Sequence, residues 1–140
     1  MRVIVDTNIW VSGLISDHGA PARVVDAVLK GDIVPVMSEA TFAELEDVLH
    51  RPSLQVYFRR ADVTPFQLLT ELRQLALFVK PRAVKTTIRD KKDKPFLELA
   101  AGRPAAEFII TGDRDCQEAQ YQGVPVITAS LFVAVVLGKS

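Results

Sequence analysis

The sequence is poor in cysteine and has no long apolar run. Its single cysteine, Cys116, excludes an internal disulfide, which is the usual situation in proteins of the reducing cytosol. No stretch reaches the roughly 18 consecutive apolar residues that a membrane-spanning helix needs. The start of the chain also lacks the basic and apolar regions of a secretory signal. We therefore expect a cytoplasmic protein that does not associate with membranes.

Several common catalytic signatures are absent as well. The two histidines, His18 and His50, stand alone, so no cluster of His and Cys offers a zinc site. The sequence has no GxxxxGKS or GxxxxGKT loop for nucleotide phosphates and no GxSxG turn for a serine nucleophile. These absences exclude P-loop nucleotide hydrolases, serine hydrolases of the α/β type and zinc enzymes with His and Cys ligands.

The residues that are present predict one compact α/β domain spanning 1–140. The chain is 49% hydrophobic and has only seven glycines and eight prolines among 140 residues. Apolar runs predict strands at 3–5, 33–37 and 108–111, with weaker candidates at 77–79 and 126–128. Helical patterns lie between them at 21–31, 38–50, 63–78, 94–102 and 130–138. Short apolar strands that alternate with helices predict a parallel sheet covered on both faces.

Charge is distributed unevenly although the formal net charge is zero. Residues 1–50 carry three basic and eight acidic side chains, whereas residues 51–94 carry eleven basic and four acidic ones. A basic segment is often only a solvated helix face. It can equally bind an anionic partner such as nucleic acid.

Acidic residues follow two of the predicted strands directly. Asp6 comes after the first strand, and Asp113 and Asp115 come after "FIITG". Active sites of parallel sheets lie beyond the carboxyl ends of the strands, so these acids are expected at one edge. The alternative for Asp6 is structural, because aspartate is also a favoured N-cap of a following helix.

Two further acids complete a candidate cluster. In the helix predicted at 38–50, with Ser38 as its N-cap, Glu44 lies on the apolar arc between Ala40 and Val48, while Glu39 and Glu46 point to solvent. Asp93 directly precedes the helix at 94–102 and is a plausible N-cap. Converging carboxylates repel one another unless a cation intervenes, and Mg²⁺ or Mn²⁺ prefers such oxygen ligands. Metal-activated water attacking a phosphodiester is the chemistry that these residue types support best.

The sequence resembles the PIN-domain nucleases, in particular the bacterial toxins of toxin–antitoxin pairs. The matching pieces are "VDTNIWVSGL", "SEATFAELEDVL", "RDKKDKPFLELA", "FIITGDRD" and "GVPVITASLF". By this resemblance Asp6, Glu44, Asp93 and Asp113 are the catalytic, metal-binding acids, Asp115 supports the metal, and Thr7, Asn8 and Thr111 are nearby polar residues. The chain departs from the family pattern at Cys116, where leucine or phenylalanine is common, and in "AAGRPAAEFI". Neither departure removes an acid.

The resemblance implies a three-layer α/β/α sandwich with a central parallel sheet and a Mg²⁺- or Mn²⁺-dependent endoribonuclease. It also implies a homodimer and inhibition by a small antitoxin protein. The basic residues around Asp93 are predicted to bind RNA phosphates: Arg89, Lys91, Lys92 and Lys94.

Two other interpretations remain open at this point. A receiver-like or phosphatase-like domain has the same sheet type, but it needs a second acid beside its nucleophilic aspartate, and Asp6 is followed by Thr7 and Asn8. The other alternative is a catalytically inactive RNA-binding or partner-binding module of the same fold.

Overall fold

The computed structural model describes residues 1–83, 94–112 and 120–138. Within them the sheet has six strands in the order β3-β2-β1-β4-β6-β5. The strands are β1 (Arg2–Val5), β2 (Val34–Met37), β3 (Leu77–Phe78), β4 (Phe108–Thr111), β5 (Gln120–Tyr121) and β6 (Val124–Thr128). Five are parallel, and β5 pairs antiparallel with β6 at the edge. The strand predictions are confirmed, with β5 as an addition.

Helices connect the strands, as βαβ topology requires. They are α1 (Thr7–Ile15), α2 (Ala20–Leu29), α3 (Glu39–Leu49), α4 (Gln55–Ala61), α5 (Pro65–Leu75), α6 (Lys94–Ala100) and α7 (Ala129–Phe132). A 3-10 turn at Pro52–Leu54 precedes α4, and α7 continues into a π-helical turn at Val133–Leu137. None of the helices in the described ranges is long and apolar enough to cross a membrane.

Two hydrophobic cores lie on opposite faces of the sheet. Because side chains alternate along a strand, Val3 and Val5 enter one core while Ile4 enters the other. The larger core is packed by α1, α2, α3, α5 and α7, and the smaller one by α6. The predicted three-layer α/β/α sandwich with a central parallel sheet is therefore confirmed.

Two details of the helix predictions are wrong. The apolar period in 63–78 predicts one stripe of Phe66, Leu69, Leu72 and Leu75, but Phe66 is 74% exposed, and α5 buries Pro65 together with Leu69 and Leu72. Ala40 was expected on the apolar arc of α3 and is exposed, whereas Thr41 is buried. The other apolar positions are buried as hydrophobicity indicates, Leu69 and Leu72 in α5 and Leu45 and Leu49 in α3, so only the first turn of each helix deviates.

The start of α3 is fixed by a reciprocal cap. Ser38 is the N-cap, as predicted: its hydroxyl accepts a hydrogen bond from the Thr41 backbone N–H at 3.2 Å, and the Thr41 hydroxyl accepts one from the Ser38 N–H at 3.0 Å. Ser38 is also almost completely buried. The cap therefore sets where α3 leaves the carboxyl end of β2.

Ser38→Ala is expected to lower the free energy of unfolding by about 1 kcal/mol, because it removes the cap and leaves the Thr41 N–H without its acceptor. Urea denaturation followed by circular dichroism measures this change. Ser53→Ala, at an exposed position of the 3-10 turn, is the control and should shift stability by no more than about 0.5 kcal/mol. Equal midpoints for the two variants would contradict the role of the cap.

Candidate active site

Asp6 lies at the carboxyl edge of the sheet, directly after its central strand. The Asp6 backbone N–H donates to the Ile110 carbonyl at 2.9 Å, so pairing between β1 and β4 continues to this residue. Its carbonyl accepts from the N–H groups of Ile9 and Trp10, which begins α1. The Asp6 side chain makes no capping hydrogen bond to that helix. The backbone of Asp6 thus has the structural role, and the capping interpretation does not account for its carboxylate.

Thr7 brings Glu44 to the same place. Thr7 is the first residue of α1 and is buried, and its hydroxyl donates to the Glu44 carboxylate (Oε2) at 2.9 Å. Because Thr7 is the neighbour of Asp6 in the chain, this bond holds the middle of α3 against the end of β1. The structure therefore brings together three predicted site residues, Asp6, Thr7 and Glu44.

The exposure of the α3 acids agrees with the sequence-based choice among them. Glu44 is half-buried, whereas Glu39 and Glu46 are exposed, as the helical pattern predicts. The partner of Glu44 was not predicted from the pattern, since it depends on how α1 crosses α3. The Thr7 hydroxyl donor fixes the position of one oxygen of the Glu44 carboxylate.

The remaining described site candidates flank Asp6. Asn8 follows Thr7 and is exposed. Thr111 is buried at the end of β4, and its hydroxyl donates to the Gly112 carbonyl at 3.3 Å. Val5 pairs with Ile110 in the parallel register of β1 and β4. The next residues of the two strands, Asp6 and Thr111, therefore lie side by side, with their backbones about 5 Å apart. Thr111 is therefore a close neighbour of Asp6.

A polar residue that the sequence analysis did not select also lies at this edge. Thr128 is paired with Thr111, and its hydroxyl accepts from the Leu131 N–H at 3.1 Å. The hydroxyl thereby caps α7. The signal that could have identified it is the position of a threonine at a strand end, directly before a helix. Its role in the described structure is structural.

Other predicted site residues lie outside the described residues: Arg89, Lys91, Lys92, Asp93, Asp113 and Asp115. Cys116 also lies outside them. The backbone of Lys94 is described, as the first residue of α6. Gly112, the last described residue before Asp113, directly follows β4 and therefore lies at the same edge of the sheet as Asp6.

The described acids suit a hard cation. Residues 1–83, 94–112 and 120–138 contain no group of three or more His, Cys, Asp or Glu side chains that could hold a metal ion. The donors present at the edge are carboxylate and hydroxyl oxygens from Asp6, Glu44 and Thr7, which fit Mg²⁺ or Mn²⁺ and not a thiolate or imidazole zinc site. The complete set of ligands, with Asp93, Asp113 and Asp115, remains a prediction.

Comparisons with known proteins identify the family of the chain. An uncharacterized protein of Methanocaldococcus jannaschii is 28% identical over 115 residues, which cover 82% of this chain and 72% of the relative. No solved structure matches the chain significantly. A family model described as the PIN domain matches residues 2–115, a range that contains every predicted acid. PIN domains have a nuclease fold and typically use divalent metal ions. The chain therefore belongs to the PIN-domain family.

Proposed function

We propose that this protein is a Mg²⁺- or Mn²⁺-dependent endoribonuclease that hydrolyses RNA phosphodiester bonds at the carboxyl edge of its sheet. The observation that carries the proposal is the Thr7–Glu44 hydrogen bond of 2.9 Å directly beside Asp6. It joins an acid in the middle of α3 to the first residue of α1, which is the chain neighbour of Asp6. This position supports the proposal that Glu44 and Asp6 act at one site.

Each residue of the site has a defined part in this proposal. Asp6, Glu44, Asp93 and Asp113 hold the metal, and Asp115 supports it. Thr7 orients the Glu44 carboxylate and keeps one of its oxygens fixed. Thr111 and Asn8 supply hydrogen-bonding groups beside Asp6. A bound divalent cation supplies an activated water and neutralises charge on the phosphate.

Substrate binding is assigned to the basic part of the chain. Arg89, Lys91, Lys92 and Lys94 are close to Asp93 in sequence and would contact RNA phosphates. Lys80 and Arg82, which follow β3, are exposed in the described structure. Because β3 is parallel to its neighbour, both come after its carboxyl end. Their backbones lie beside α6 and the turn that follows it, because the Arg82 N–H donates to the Glu98 carbonyl at 3.0 Å and Lys80 forms a β-bridge with Arg103.

The cellular role that fits this activity is the toxin of a type II toxin–antitoxin pair. The support is the resemblance of the sequence to such toxins. In this proposal the unit is a single PIN domain, residues 1–140, which forms a homodimer in the cytoplasm and is inhibited by a cognate antitoxin protein. A small open reading frame directly upstream of the gene would support this role.

Incubation of the purified protein with mixed RNAs tests the activity. We expect cleavage with Mn²⁺ and none with a chelator. Glu44→Gln, purified in parallel, should lose most of the activity, while Glu46→Gln on the exposed face of α3 should retain it. RNA binding without cleavage under any divalent metal would instead favour the inactive binding module. Cleavage that persists in the chelator would contradict the metal-dependent mechanism.

A further inference from the structure

A group of contacts beyond the acids occurs at the same edge of the sheet. It consists of Arg73 of α5, Phe42 and Glu39 of α3, and Phe78 of β3, and we name it the Arg73 platform. The guanidinium carbon of Arg73 lies 4.3 Å from the centroid of the Phe42 ring and 4.7 Å from that of Phe78. The two rings are 5.6 Å apart and tilted by 57°. One cation thus rests on two adjacent aromatic rings.

The Glu39 carboxylate fixes the orientation of the Arg73 guanidinium. The Arg73 Nη1 and Nη2 groups donate to the two carboxylate oxygens of Glu39 at 3.0 and 3.1 Å. This hydrogen bonding to Arg73 lowers the pKa of Glu39, so the pair is ionised at neutral pH. A bidentate bond together with ring contacts holds a side chain that would otherwise sample many rotamers. The platform is therefore ordered before any ligand arrives.

Much of Arg73 nevertheless remains accessible. Its side chain is 48% exposed, although two aromatic rings contact it and Glu39 pairs with its Nη1 and Nη2 groups. About half of the side-chain surface is therefore left open to a ligand. A solvent-exposed ion pair adds little stability by itself, so stability alone accounts poorly for a cation held in this way.

The platform lies near the proposed reaction centre. Phe78 ends β3, level with Met37 at the end of β2, and β2 is the neighbour of β1. Two strand spacings, about 10 Å, therefore separate Phe78 from the end of β1, where Asp6 lies. Glu39 is on the helix that carries Glu44. If a phosphate of the RNA binds at the acids, the adjacent nucleotide is long enough to place its base at the Arg73 platform.

We propose that Arg73 is a stacking surface for an unpaired RNA base beside the cleaved phosphodiester. This inference rests on the proposed function, which supplies the substrate and its position. Unpaired RNA bases stack on arginine guanidinium planes as well as on aromatic rings. A base on the open side of Arg73 would continue the stack that Phe42 and Phe78 begin.

The same geometry favours a base over a phosphate at this position. Phosphate binding uses the fork of guanidinium N–H groups, and Glu39 already occupies the Nη1 and Nη2 fork. The carboxylate also repels an approaching anion. A planar group such as a base can still stack on the face of the guanidinium, because stacking does not use the N–H groups that Glu39 occupies. Arg73 would thus favour single-stranded over fully paired RNA near the cleavage position.

The test uses a single-stranded oligoribonucleotide carrying 2-aminopurine, whose fluorescence falls when the base stacks. With the whole protein and a chelator to prevent cleavage, we expect quenching on binding at one or two positions of the probe. Arg73→Lys keeps the charge but removes the plane, so it should abolish the quenching and weaken binding by about tenfold. Arg60→Lys, at an exposed arginine of α4, is the matched control and should behave as the wild type.

The possible outcomes separate this inference from the proposed function. If the wild type cleaves RNA but no probe is quenched, or Arg73→Lys binds as tightly as the wild type, the stacking proposal is wrong and the nuclease proposal stands. The platform would then be a structural contact or a surface for a protein partner. If the wild type neither binds nor cleaves RNA, both proposals fail. Quenching in the wild-type protein tests the proposal even if the lysine variant does not fold.

Discussion

Asp6→Asn is expected to reduce RNA cleavage by roughly a thousandfold or more, on the order of 4 kcal/mol of transition-state stabilisation. The substitution preserves the size of the side chain and removes the negative charge that a divalent cation requires. The fold should persist, because asparagine has nearly the same size and retains the backbone N–H and carbonyl through which Asp6 joins β4 and begins α1. RNA binding through the basic segment should largely survive.

Three measurements check this prediction: circular dichroism for folding, cleavage rates in Mn²⁺, and RNA affinity at one fixed salt concentration. Asp47→Asn, at an exposed position of α3, serves as the control for the loss of one negative charge. Cleavage by Asp6→Asn at the wild-type rate would show that Asp6 is not a metal ligand. A folded variant that loses RNA binding together with cleavage would place Asp6 in substrate binding instead.

Mn²⁺ is expected to stabilise the folded protein by about 2.7 kcal/mol at a concentration one hundred times its dissociation constant. The reason is that the metal binds the assembled acids and has little affinity for the unfolded chain, in which Asp6 and Glu44 are not held together. The metal also relieves the repulsion between their like charges. Urea denaturation at increasing Mn²⁺ concentration measures the gain.

Variants of one helix provide the controls for this second prediction. Glu44→Gln should lose most of the stabilisation by Mn²⁺, and Glu46→Gln should keep it, since Glu46 is exposed and Glu44 is bound to Thr7. Stability that does not change with millimolar Mn²⁺ or Mg²⁺, together with no heat of binding by calorimetry, would argue strongly against a metal at this site.

Much of the architecture is predictable because buried parallel strands appear as continuous apolar runs. The exceptions have physical causes. In α4 only Phe58 is buried, so the helix has no periodic apolar pattern. Phe66 is hydrophobic but exposed, because the packing of α5 and not its hydrophobicity decides which face is buried. Strand β5, Gln120–Tyr121, contains no apolar run that could indicate it, unlike the equally short β3.

The candidate site was predictable in part for the same reason. The position of Asp6 at the end of a strand and the helical phase of Glu44 are local properties of the sequence. The Thr7–Glu44 bond joins residues that are 37 positions apart, and the Arg73–Glu39 contact joins residues 34 apart. Such contacts depend on how helices cross, which periodicity does not encode. The sequence pattern therefore does not predict the Arg73 platform.

The central position of β1 has a consequence for the timing of synthesis. Val3 pairs with Pro35 on one side and with Phe108 on the other, so the first strand acquires its second neighbour only after the chain has been synthesised to Phe108. At about 5–20 residues per second, the wait between the two partners is about 4 to 15 s. The bond from Asp6 to Ile110 belongs to the late pairing. A growing chain thus lacks the anchored first acid until Ile110 has been synthesised, and the nuclease activity proposed above would arise only after that point.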